Sequence, residues 1–163
     1  MPRSQVTRAT QLPISELSVD LYLNRKHFHR DSHLPETLLV FPLSASPILT
    51  SHQSYLSGHL ILQDKASCIP AHVLLSSLTT ASSPPLDGEV IDATAAPGNK
   101  TTQLSAFMGN KGKLHAFELS PGRWKTLRKM VEKAGCTNVD FGIEGGRNFL
   151  DTAPKGREWE AVK

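Results

Sequence analysis

The sequence predicts an α/β fold built on a parallel sheet, and three observations predict it. Short apolar runs at Glu89–Ala93, Lys113–Leu119 and Asn138–Ile143 alternate with helical stretches at 99–108 and 121–134. Each helical stretch closes on a stop signal, Gly109-Asn110 after the first and Gly135 after the second. The connections are long enough for crossovers, and strands that alternate with helices in this way lie parallel, with right-handed connections.

The elements follow in order. Residues 1–20 carry no sustained period and read as a poorly ordered lead-in. Residues 21–87 read as an N-terminal subdomain and linker, and 88–163 as the sheet domain. Leu38–Phe41 gives a β signal that Pro42 stops, Ser44–Ser57 is a Ser-rich loop, and Leu60–Leu62 is a short strand. Ser67–Leu78 reads as a helix with Ile69, Val73, Leu74 and Leu78 approximating one apolar face, the kind that faces a core. Thr79–Gly88, with Ser82-Ser83-Pro84-Pro85, is a loop. Strand Glu89–Ala93 then feeds the helix Asn99–Met108, and strand Lys113–Leu119 feeds the helix Pro121–Ala134. Ser120 sits at the N-cap of that second helix, Pro121 at its first position and Gly135 just past its end. Trp124, Leu127, Met130, Val131 and Ala134 form its apolar stripe, with Arg123, Lys125, Arg128, Lys129 and Lys133 mostly outside it. Asn138–Ile143 is the third strand, and Trp159–Lys163 begins a fourth.

Size and charge bound the function. A chain of 163 residues is one domain's worth, and a net charge of +3 permits an RNA partner without demanding one. The excess sits in the second half, with 11 Lys and Arg against 7 Asp and Glu from Lys111 onward. Cys68 and Cys136 have no C-x-x-C spacing, which argues against zinc and against a disulfide scaffold and leaves a reducing compartment as the default. His27, His29 and His33 have one carboxylate among them, Asp31, and no cysteine nearby, so no metal is expected. There is no apolar run long enough for a membrane span and no secretory h-region at the N-terminus. Phe107, Phe117, Trp124 and Phe141 fall at core spacing, and packing is their expected work rather than base stacking.

The most informative stretch is Val90-Ile91-Asp92-Ala93-Thr94-Ala95-Ala96-Pro97-Gly98-Asn99-Lys100-Thr101. An apolar strand ends in an acid, passes through small residues to Pro-Gly and opens into a helix. Small side chains let backbone approach a ligand, and the free N–H groups of a helix start receive an anion. A tight turn between a buried strand and its helix would use the same residues. A Walker loop is excluded, because Asn99 separates Gly98 from Lys100 and no Gly precedes at the right distance. The single Gly of the turn also excludes the G-x-G-x-x-G fingerprint, and with it a nicotinamide oxidoreductase. Glu118 ends the next strand 118 − 98 = 20 positions after Gly98, where nucleotide-binding α/β folds place an acid that accepts from ribose hydroxyls.

The wording D-A-T-A-A-P-G-N-K-T resembles motif I of the Sun-type (RsmB/Nop-type) RNA cytosine-5 methyltransferases, usually D-A-C-A-A-P-G-G/N-K-T. Gly58–Cys68, Leu34–Pro42 and Asn148-Phe149-Leu150 extend the resemblance, and Asn99 makes it closest to the eukaryotic branch acting on large-subunit rRNA. Thr94 departs from the family's Cys, which is not its nucleophile. The resemblance implies a Rossmann-like class I methyltransferase sheet, here truncated at the start of its fourth strand, so that 88–163 is an incomplete S-adenosyl-L-methionine-binding domain. The chain then reads as a fragment or a truncated gene product.

The implied cofactor residues are Thr94, Ala95, Ala96, Pro97, Gly98, Asn99 and Lys100 in the turn, with Glu118, Arg123 and Asn148. Arg123 matches an Arg five residues after the acid, and Asn148 stands where the family often has an Asp that touches adenine. Lys100 is implied to point toward the target base in a supporting role. An exposed strand-end carboxylate and solvated helix cations remain the plain alternatives for Glu118, Arg123 and Lys100. The family's reaction adds a cysteine thiolate to cytosine C6, methylates C5, removes the C5 proton and eliminates the enzyme. Neither Cys68 nor Cys136 matches its Pro-x-Cys or Thr-Cys motif, so no catalytic nucleophile is identified. The implied partner is RNA, large-subunit rRNA in particular, with no membrane and no metal, and the implied setting is a monomer in the nucleus and nucleolus. The alternative from another class is a non-catalytic RNA-binding or ribosome-assembly protein that keeps the fold.

Overall fold

A computed structural model of the chain describes residues 5–8, 28–35, 37–42, 45–78, 87–142 and 148–149. The N-terminal portion holds two antiparallel strand pairs. β1 (Gln5–Arg8) lies along β4 (Leu60–Asp64), and β2 (His29–Arg30) along β3 (Leu39–Val40). β1 falls inside the stretch read as an unordered lead-in. It is too short and polar to announce itself, and β4 supplies the ladder it pairs with. The Ser-rich stretch read as a loop contains two helices, α1 (Ser46–Ser51) and α2 (Gln53–Leu56). Pro47 opens α1, and the Thr50 and Ser51 hydroxyls donate back to the carbonyls of Ser46, Pro47 and Ile48. The serines that suggest a loop are therefore compatible with a helix. Leu49 of α1 joins Leu39, Phe41, Ala45 and Leu60 in one buried cluster.

α3 (Lys65–Leu78) also differs from expectation in its orientation. Ile69, Val73 and Leu74 are 42%, 57% and 40% exposed, whereas Cys68, Ala71 and Leu75 are buried. The Leu78 side chain lies outside the described ones. Small residues at 68 and 71 allow close approach to neighbouring backbone, and proximity outweighs the larger aliphatic side chains on the other face. Asp31 is buried beside the first turn of α3. Burial opposes its ionisation, but Lys65 Nζ at 2.7 Å and the backbone N–H groups of His33 and Leu34 outweigh it, holding the carboxyl below the usual range.

The second portion is the expected parallel sheet. β5 (Glu89–Asp92), β6 (Lys113–Ala116) and β7 (Val139–Asp140) lie in the order β5-β6-β7, with Val90 opposite Leu114 and Leu114 opposite Val139. α4 (Asn99–Phe107) connects the first two and α5 (Pro121–Lys133) the second two. The strands pair over fewer residues than the sequence suggests, and β5 and β6 give way after Asp92 and Ala116 to the loops of the site. Residue 143, the loop 79–86 and the expected fourth strand at 159–163 lie outside the described residues.

Val90 and Leu114 pack with Ala71 and Leu75 of α3 and Leu104 of α4, while Ala116 packs with Leu127 and Val131 of α5. The stripe on α5 is thus as expected, with Trp124, Leu127, Val131 and Ala134 buried and Met130 partly so. Ser120 does occupy the N-cap, with extended backbone, but its hydroxyl makes no cap bond. Gly135 follows the helix with φ +68, the left-handed turn that ends a helix cheaply in glycine. Strand alternation turns Glu89, Ile91, Lys113, His115 and Asp140 to the other face of the sheet. Lys113 Nζ lies 2.9 Å from Asp140, and His115 sits between Glu89 at 3.1 Å and Asp140 at 3.4 Å. The Gly142 N–H and the Lys113 ammonium hold the Asp140 carboxyl below its ordinary value.

Candidate functional site

The candidate site is the crevice at the carboxyl ends of β5 and β6, where open α/β sheets take their ligands. β5 ends at Asp92, which is buried. Its Oδ2 accepts from Thr101 Oγ1 at 2.8 Å, across the whole turn, and its Oδ1 accepts from the Thr94 N–H at 3.4 Å. The Phe117 N–H donates to the Asp92 carbonyl and the Ala95 N–H to the Phe117 carbonyl, so the turn is sewn to the end of β6. Ala95, Ala96 and Gly98 are buried, while Thr94, Pro97 and Lys100 are exposed. The Ala96–Pro97 bond is cis.

Gly98 is required here on two counts. Its φ of +114 is a region that L side chains avoid, and a Cβ would meet Met130 Cβ and Cγ at 3.0 Å and Leu127 Cδ1 at 3.3 Å. The first intrahelical bond of α4 runs from the Thr102 N–H to the Gly98 carbonyl. The N–H groups of Asn99, Lys100 and Thr101 therefore have no helical acceptor and carry the positive end of the helix dipole. That arrangement fits a carboxylate.

Glu118 is buried beside the turn. Its Oε1 accepts from the Ser120 N–H at 2.9 Å, and its Oε2 lies 3.7 Å from Arg123 Nη1. A carboxylate has about four acceptor positions, so capacity remains for the two hydroxyls of a ribose. Arg123 points its Nη2 at the Ala96 carbonyl, 2.8 Å away, so it braces the turn as well as the acid. Asn99 lies at the helix start, with its side-chain amide donating to the Leu62 carbonyl of β4 at 3.3 Å. Phe149, the residue after Asn148, meets the Phe117 ring edge-on at 5.3 Å. The turn, Glu118 and Arg123 are thus drawn together at one end of the sheet, while Lys100 is exposed.

Sequence reasoning took Asp92 and Thr101 as the two ends of the turn but did not foresee the bond between them. An acid at a strand end and a hydroxyl nine positions on carry no spacing signal, and their meeting depends on the turn between them. The aromatic residues do core work. Phe117 and Trp124 are buried, and Trp124 meets Phe141 edge-on at 6.2 Å. The two cysteines lie in α3 and just past the end of α5. Cys68 is fully buried and donates to the Asp64 carbonyl, and burial pushes the half-buried Cys136 thiol up against a weaker opposing bond from Ser105. A thiol held protonated is a poor nucleophile. Among the described residues no three His, Cys, Asp or Glu side chains form a group able to hold a metal, and no helix is long and apolar enough to cross a membrane.

Two family models match the chain. Residues 80–155 match 16S rRNA methyltransferase RsmB/F, and residues 10–63 match the ferredoxin-like domain of NOL1/NOP2/Sun domain family member 5. A 28S rRNA (cytosine-C(5))-methyltransferase of Mus musculus is 41% identical over 86% of this chain and 27% of its own length. The 25S rRNA (cytosine-C(5))-methyltransferase rcm1 of Schizosaccharomyces pombe is 46% identical over 66% of this chain and 21% of its own. The chain thus spans about a quarter of the length of these curated relatives. Among solved structures, a methyltransferase homolog protein from Pyrococcus horikoshii superposes with a TM-score of 0.66 at 26% identity, covering 86% of this chain and 43% of that one.

Proposed function

Since the chain belongs, over residues 10–63 and 80–155, to the RsmB/F and NSUN5 group of RNA cytosine-C5 methyltransferases, we propose that it forms the S-adenosyl-L-methionine site of an rRNA cytosine-5 methyltransferase. The observation that carries this reading is the convergence of two ligand-shaped features in one crevice. The unpaired N–H groups of Asn99, Lys100 and Thr101 suit the methionine carboxylate, and buried Glu118 suits the ribose diol. Ala95, Ala96, Pro97 and Gly98 bring backbone close, Thr94 contributes its N–H to the shape of the turn, and Arg123 braces Ala96 and Glu118. Asn148 is the candidate adenine contact, through an amide oxygen able to accept from an exocyclic amino group.

When bound, the cofactor supplies an electrophilic methyl group. The residues of this chain hold and orient it, and Lys100 adds positive charge at the rim where a cytosine would approach. The substrate is RNA, and the relatives named for 28S and 25S rRNA support the large subunit as its source; a nucleolar setting goes with that reading. The experiment is calorimetry with S-adenosylmethionine on this chain and on Glu118→Ala. Loss of charge-assisted bonds to the ribose should weaken binding by about 1.5–3 kcal/mol. Equal affinity of the two proteins would remove Glu118 from the site.

A further inference from the structure

We propose that Asn99 and Gln103 are positioning residues, an i, i+4 pair of amides on α4 that fixes the cofactor end of that helix to β4 and α3. This deepens the cofactor reading above and rests on it. Asn99 Nδ2 donates to the Leu62 carbonyl at 3.3 Å. Gln103 Oε1 accepts from Gln63 Nε2 at 3.2 Å, and Gln103 Nε2 donates to the Cys68 carbonyl at 3.1 Å. Gln63 Nε2 also reaches the Ser67 carbonyl at 2.8 Å.

Gln63 and Gln103 are only 2% and 3% exposed. Burying an amide is tolerable only when it is paired, and an unpaired one costs more than its bond returns. A shift of α4 along β4 would strand these amides at once, so they set the axial position of the helix and not merely its attachment. The first residue of α4 is Asn99 itself, and the unpaired N–H groups lie in that same turn. Other fixings point elsewhere, with Thr101 tied to Asp92 of β5 and the Ala96 carbonyl to Arg123 of α5. The amide pair supplies the restraint toward the N-terminal portion. The Asn99 amide nitrogen is committed to Leu62, and Gln103 lies one turn, about 6 Å, further along the helix, so both act through backbone placement.

Binding that depends on this placement must also act back on it, by the reciprocity of linked equilibria. Asn99→Ala and Gln103→Leu are compared with the unaltered 163-residue chain, each at a temperature where circular dichroism shows it folded. Calorimetry with S-adenosylmethionine should show about three- to tenfold weaker binding in each, the scale of one net hydrogen bond. Hydrogen exchange gives the reading that a purely structural role would not move. Cofactor should slow exchange of residues 60–64 in the unaltered chain, and Asn99→Ala should abolish that slowing while protection at 99–102 persists. Unchanged affinity together with unchanged cofactor-dependent protection overturns the proposal and leaves the Glu118 result standing. Absence of cofactor binding by the unaltered chain overturns both. Should Gln103→Leu fail to fold, Asn99→Ala decides, since Asn99 is only partly buried.

Discussion

At the scale of single residues, the turn owes its shape to neighbours more than to its own side chains. Gly98 lies against Met130 and Leu127 at a φ of +114, so Gly98→Ala introduces both backbone strain and overpacking. The two costs together should lower stability by about 2–4 kcal/mol, read from urea denaturation. A loss below about 0.5 kcal/mol would mean that α5 yields there. The Pro-Gly turn and the acid at 118 are legible in the sequence because each works through a local rule, a tight strand-to-helix passage and a fixed distance to the next strand end. The destinations of Asn99 and Arg123 are not legible. Their acceptors lie 37 and 27 residues away, and no periodicity encodes which carbonyl a long polar side chain will find.

At the scale of elements, the regular βα alternation is readable because each helix carries its own stripe and stop, as α5 does between Pro121 and Gly135. The readings that differ have two causes. α3 turns Cys68, Ala71 and Leu75 inward and β1 pairs with β4, outcomes set by the partner element, whereas α1 satisfies its hydroxyls within its own turns, a local bond that composition does not announce. The link between Asp31 and the start of α3 yields a test at this scale. The folded carboxyl titrates below its unfolded value of about 3.9, so it adds stability above that value and loses it as pH falls through the folded pKa. Lys65→Met removes the ammonium but leaves the burial, so the acid-unfolding midpoint should move to higher pH. At pH 7 the variant should be about 1–2 kcal/mol less stable, between the limits for exposed and buried pairs. The gap should close in strong acid. A gap that stays constant with pH would show that the pairing of Lys65 with the Asp31 carboxylate is not the source of the loss.

At the scale of the whole molecule, the proposed cofactor binding and methyl transfer make separate demands on the chain. The sequence holds two cysteines, one buried in a helix and one half-buried with its thiol pushed up. Addition to cytosine C6 needs a thiolate beside the base. The 163-residue chain, incubated with tritiated S-adenosylmethionine and unmodified large-subunit rRNA, should leave no label on cytosine C5. Label that disappears in Cys68→Ala or Cys136→Ala would show that one of these thiols reaches the base after all.

α5 carries a mechanical consequence. Its buried side floors the turn beneath Gly98, its first turn presents Arg123 to Ala96 and Glu118, and its last turn bears on the N-terminal portion. There a Cβ on Gly58 would collide with the Lys133 carbonyl, and Lys133 lies over the Tyr55 ring. The helix is thus a beam loaded at three points along its length. A stiff beam displaced at one support moves at the others, so a push at Tyr55 and Gly58 arrives at the turn as a tilt of its floor. The level of that floor is one of the things fixed by where this helix comes to rest.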